Sequence, residues 1–119
     1  MHAREVPMYF ISSSLPKQAD VIYRDINFTD VTFVSAIAKK YELIPRSNPN
    51  HGAIDAVRRR FGIKIAEKAD ISRLKAGDVL IVINISGPHY RMGTKKVYSE
   101  EQLKKLNISF RGYLIHTIN

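Results

Sequence analysis

His51 and Arg91 are the residues of this chain best suited to chemistry on a phosphate. His51 lies in a polar loop, Arg46-Ser47-Asn48-Pro49-Asn50-His51-Gly52, just before a stretch with helical spacing. The start of a helix offers free backbone N–H groups and the positive end of the helix dipole, which together bind phosphate. A histidine there could donate a proton to a leaving oxygen. The same His51, or Asn50 beside it, could equally serve only as a helix cap. Arg91 lies in a second polar loop, Ser86 to Lys96, with Lys95 and Lys96 close behind it. A guanidinium grips phosphate through two parallel N–H bonds and stabilises charge as it builds. Residue type alone also allows a solvated basic loop. Arg58-Arg59-Arg60 has the same two readings, and at most two of the three can share a helix face.

Composition points the same way. The chain carries 19 Lys and Arg against 11 Asp and Glu, a formal charge of +8. Such an excess gathers anions, and phosphates on nucleic acid or on a nucleotide are the obvious ones. Some of the lysines simply keep a small protein soluble. With no cysteine there is neither a disulfide scaffold nor a thiolate metal site, and a reducing compartment fits. His2, His51, His89 and His116 lack the local spacing of a metal site, so no metal and no cofactor are expected. The chain has no Gly-rich phosphate loop, no HExxH and no GxSxG. Met1 to Pro7 lacks the apolar core of a secretory signal. The longest apolar run, Val79 to Ile83, is too short to span a bilayer.

Positioning these side chains requires a folded core, and 119 residues at 45% hydrophobic content suffice for one domain. Residues 8–119 are read as that domain and 1–7 as an extension. Met8 to Ser12 and Asp20 to Phe28 alternate as strands. Thr29-Asp30 caps a helix over about 30–41, where Phe33, Val34, Ile37, Ala38 and Tyr41 recur at helical spacing. Leu43-Ile44-Pro45 is extended, because Pro45 disfavours helix at Ile44. A second helix runs from Ala53 to Phe61, and Gly62 stops it. Ile63 to Ala66 and Ile71 to Leu74 suggest short strands. A turn, Lys75 to Asp78, leads into Val79 to Ile85, whose unbroken apolar run suggests burial on both faces. Ser99 and Gln102 have capping-box spacing for a short helix to about Leu106. Ile108 to Ile118 is a last strand, with Gly112 as a bulge or close approach. The pattern predicts an α+β domain, a mixed β-sheet with helices packed on it.

Three stretches give the chain a resemblance that spans nearly all of it from Met8 onward. They are Tyr9-Phe10-Ile11-Ser12-Ser13-Ser14-Leu15-Pro16, then Lys75-Ala76-Gly77-Asp78-Val79-Leu80-Ile81-Val82, and then Arg91 through Leu106. Together they resemble the small anti-CRISPR ring nucleases of archaeal viruses, a family with cellular relatives that cuts cyclic tetra-adenylate. The first is similar to the family's opening strand and Asn-Ser ligand turn, and the second to its Pro-Gly-Asp turn and buried strand. The third is similar to its Arg-Leu-Pro-Glu-Gly-Lys-Val-Leu-Ser loop and acidic helix. The resemblance implies a homodimer in the cytoplasm of an archaeal host cell. It implies His51 as the catalytic histidine, Arg91 as the conserved arginine, and Ser12 and Ser13 in the ligand turn. Asn50, Lys68 and Lys95 are the further ligand-binding candidates, Lys68 lying near a family arginine. Thr94 stands where the family has its catalytic-loop Glu, and the family's Ser-Ala-Ile-Gly-His run is replaced by Pro45 to His51. The alternatives are a non-catalytic nucleic-acid-binding protein, whose backbone contacts would include Arg58 to Arg60, Lys104 and Lys105, and a sponge that holds the cyclic nucleotide uncut.

Overall fold

β-Branched and aromatic residues build a single mixed sheet. In the computed structural model the chain runs β1 (Tyr9–Ser12), β2 (Val21–Asp25), α1 (Val31–Lys40), β3 (Leu43–Pro45), α2 (His51–Phe61), β4 (Val79–Ser86), α3 (Glu100–Lys104) and β5 (Asn107–Thr117). The structure describes residues 6–26, 30–46, 51–88, 90 and 98–118, and of His51 the backbone only. The strand order is β2-β5-β4-β1-β3. β1 is parallel to both β3 and β4, while β5 is antiparallel to both β4 and β2. This is the expected α+β architecture in one small domain. No helix among the described residues is long and apolar enough to cross a membrane.

The sheet is apolar on both sides where β1 and β4 pair, as the unbroken run predicts. On one side Ile11, Leu43 and Ile81 meet Val34 of α1 and Ile54 and Val57 of α2. On the other, Phe10, Leu80 and Ile115 pack with Leu74. A third cluster joins α2 to α3 through Ala56, Tyr98, Leu103 and Leu106. Local signals set the helix ends. The Asp30 side chain accepts from the Thr32 N–H and caps α1. Ser99 and Gln102 form the complete capping box of α3. Gly62, at φ 64°, closes α2 in the left-handed region that glycine tolerates and donates its N–H to the Arg58 carbonyl at 2.9 Å.

Four expectations need correction. α2 begins at His51 rather than Ala53, so His51 opens the helix instead of preceding it. Ile63 to Ala66 forms only an isolated parallel bridge, Leu43 with Ile65. Ile71 to Leu74 is not a strand. Gly112 makes no bulge, since it pairs in register with Ile81 and is buried.

Burial holds the Tyr9 and Tyr23 phenols above their ordinary value of 10.0, with Tyr41 adding to the effect on Tyr9. The Tyr23 hydroxyl also donates to the Pro16 carbonyl. A raised phenol keeps its proton in the fold at a pH where the unfolded chain loses it. Their contribution to stability is therefore intact below pH 10.0 and is lost as pH rises above that value. Urea unfolding across this range should show the fall, and Tyr23→Phe should make it shallower.

Candidate ligand site at the carboxyl ends of the parallel strands

Because β3, β1 and β4 are neighbours running the same way, their carboxyl ends lie on one side of the sheet. Open α/β sheets take their ligands at such ends. Ser12 closes β1 and is only 3% exposed. Its hydroxyl donates to the Ser14 carbonyl at 2.9 Å and accepts from the Ser14 N–H at 3.3 Å. The Ser12 side chain therefore shapes the turn. Ser13, half-buried, follows directly in it.

Ser12 and Arg46 each stand one residue beyond the Ile11–Pro45 pair, on neighbouring strands. The Arg46 N–H donates to the Ile11 carbonyl at 3.0 Å. Its guanidinium lies 5.2 Å from the centre of the Phe10 ring and donates to the Ser72 carbonyl. Sequence reasoning misses Arg46 because the polar loop behind it absorbs it. The available signal is a cation placed directly after a buried strand. α2 starts a few residues later, and its first turn holds no acidic residue to offset the positive end of its dipole.

Ser12, Ser13 and Arg46 thus lie at the carboxyl ends of β1 and β3, and α2 starts at His51, after the residues that follow β3. β4 runs on from Val82, the partner of Ser12, to Ser86, about 13 Å at the usual strand rise, before the chain turns into the second polar loop. Arg91, Thr94, Lys95 and Asn50 lie outside the described residues. Lys68 is exposed and lines a groove of about 730 Å³ with Glu42, Ile44 and Asp70. That groove follows the outer side of β3, where the Asp70 N–H reaches the Pro45 carbonyl at 2.9 Å. Among the described residues no group of three or more His, Asp and Glu could hold a metal ion.

The three arginines of α2 are engaged inside the fold. Arg58 donates to the carbonyls of Ile65 and Ala66 at 2.9 and 2.7 Å. Arg59 donates to the Tyr98 carbonyl at 2.6 Å and pairs with Glu100 at 2.9 Å and Asp55 at 3.4 Å. Glu100 is the main reason its guanidinium is held above its ordinary range. Arg60 reaches the carbonyls of Leu103 and Leu106, the latter at 2.7 Å. The Leu103 carbonyl also accepts from the Leu106 N–H at 3.2 Å, so Arg60 adds a charged donor at the end of α3. The run is therefore directed at neighbouring backbone rather than laid out along one outward face.

Searches of protein-family models, of curated proteins and of solved structures find no match to this chain.

Proposed function

We propose that this protein is a metal-independent ring nuclease that cleaves cyclic tetra-adenylate and so antagonises type III CRISPR defence. The observation that carries the reading is the Ser12–Ser13 turn with Arg46 beside it at the carboxyl end of β1 and β3, from which the chain leads on to α2. The resemblance in the Ser12 turn, the Asp78 turn and the Arg91 stretch supports it.

In this mechanism a ribose 2′-hydroxyl gives up its proton to water as it attacks the adjacent phosphodiester, the P–O bond to the 5′-oxygen breaks, and a 2′,3′-cyclic phosphate forms. Holding the hydroxyl in line with the leaving oxygen supplies several kcal/mol. His51 protonates the leaving oxygen. Arg91 stabilises the charge on the phosphorus oxygens, while Ser13 and the first-turn N–H groups of α2 hold the ring. A ligand with four-fold repetition suits a two-fold dimer that presents the same site twice.

Incubation with labelled cyclic tetra-adenylate in excess EDTA is expected to yield linear products ending in 2′,3′-cyclic phosphate or its hydrolysed form. Cleavage that stops on adding EDTA would overturn the mechanism. Tight binding without cleavage would leave a sponge for the messenger.

A further inference from the structure

At the other end of the sheet, where β1 and β3 begin, a groove of about 220 Å³ lies between the last turn of α1 and residues 64–66. Lys39, Lys40, Tyr41, Glu42 and Lys64 line it. Its position follows from the topology. α1 returns the chain to the amino end of β3, and Ile65 pairs in parallel with Leu43, so Lys64 arrives one residue before that bridge.

Lys39 and Lys40 have a local reason to be where they are, since cations favour the negative end of a helix. Lys64 has none, because it lies beyond Gly62 and outside any helix. All three lysines are exposed, and none of them enters an ion pair with a described residue. Glu42 supplies one negative charge to the groove against their three positive ones. Beside them the Tyr41 ring is stacked on Tyr9, with centroids 4.2 Å apart and planes 16° from parallel, and is still 45% exposed. The stack fixes the plane of an aromatic ring next to uncommitted cations.

We propose that this groove binds a single-stranded nucleic acid, with phosphates on Lys39, Lys40 and Lys64 and a base against Tyr41. Lysine meets phosphate as a point charge on a flexible stem, without the fixed geometry of a guanidinium. An aromatic ring beside a cationic groove is the arrangement that takes unpaired bases irrespective of sequence. A duplex fits poorly, since its bases already stack on one another. The three arginines of α2 donate to backbone carbonyls, so the contiguous basic run is not the preferred surface for a strand. The groove lies at the opposite end of the sheet from Ser12 and the start of α2, so the proposal does not depend on ring cleavage.

The test is fluorescence anisotropy with a labelled oligouridine and a labelled oligothymidine of about 12 nucleotides each, titrated at several salt concentrations. Three phosphate contacts on a single strand predict a slope of about −2 for log K against log salt. The combined substitution Lys39→Gln, Lys40→Gln and Lys64→Gln should reduce affinity about tenfold or more at low salt and bring the slope towards zero. Tyr41→Ala should cost about tenfold with the slope unchanged, while Tyr41→Phe keeps the wild-type affinity. Thermal unfolding of each variant separates lost binding from lost folding. Unchanged affinity and slope in the triple variant would overturn the proposal. So would an equal loss in a Lys104→Gln, Lys105→Gln control on and just after α3, which would mean diffuse attraction to net charge. Equally tight binding of a matched duplex would also overturn it.

Discussion

His51→Ala is expected to slow cleavage of cyclic tetra-adenylate by about a hundredfold or more while leaving the ring bound. A general acid acts on the leaving oxygen, where charge develops only as the bond breaks, so its removal raises the barrier and leaves the ground state largely intact. His51 is the first residue of α2, and the first-turn N–H groups beside it survive the substitution and still meet phosphate. Arg91→Ala should act differently. A guanidinium contacts phosphate in the ground state and the transition state alike, so both binding and rate should fall. Single-turnover rates and equilibrium binding isotherms for the two variants distinguish these outcomes. Full activity in His51→Ala would move the proton donor elsewhere, with His89 next in line because it shares the Arg91 loop. A wild-type protein that binds the ring and never cuts it would point to Thr94, which stands where the resembling family has Glu.

Asp78→Ala should produce the largest loss of stability from a polar substitution. Asp78 is 0% exposed. One carboxylate oxygen accepts from the Met8 N–H at 3.0 Å and the other from the Lys75 N–H at 2.9 Å. Its own carbonyl accepts from the Ile115 N–H at 2.9 Å. One residue therefore ties the entry of β1, the turn before β4 and strand β5. The turn itself needs Gly77, whose φ of 90° is costly for other residues. Alanine would leave two N–H groups without their acceptors, at about 1–3 kcal/mol each. Against a total of about 5–15 kcal/mol for a domain, that is a substantial share. Urea unfolding should show a much lower midpoint at an unchanged slope. Asp78→Asn keeps one acceptor oxygen and should lose less. A wild-type midpoint for Asp78→Ala would mean that the carboxylate is not what ties the entry of β1 to the turn before β4.

Much of the fold is legible in the sequence because apolar spacing and caps act locally. Asp30, Ser99 with Gln102, and Gly62 each mark a helix end that the structure keeps. The failures are tertiary. Ile71 to Leu74 has a strand-like composition, yet the Leu74 backbone is satisfied by a side chain. Gln18 donates its amide to the Leu74 carbonyl and accepts the Leu74 N–H, both at 3.0 Å, and so stands in for a neighbouring strand. The start of α2 is read too late because His51 and Gly52 look like loop residues, yet the helix covers both. At the candidate site, Ser12 and Ser13 are reached only through the resemblance of their stretch to a family's ligand turn. The engagement of Arg59 and Arg60 could not be foreseen, since their carbonyl acceptors are far along the chain, and that of Arg58 depends on the chain turning back at Gly62 to Ile65 and Ala66. Arg46 is hidden for a related reason, because only the pairing of β1 with β3 sets it beside Ser12.

β5 comes last in chain order but lies inside the sheet, between β4 and β2. β2 has no partner in the sheet until β5 exists, and their pairing joins Val21 to Thr117 across most of the chain. Such distant closure makes folding slow. In folding, β1, β3 and β4 can assemble with α1 and α2 before β5 docks, but β2 must wait. During that interval the outer edge of β4, the strand that carries the chain's longest apolar run, is open to pairing with any other extended segment. The newly made chain is therefore most prone to aggregate just before its final strand arrives, and it should depend most on chaperones then.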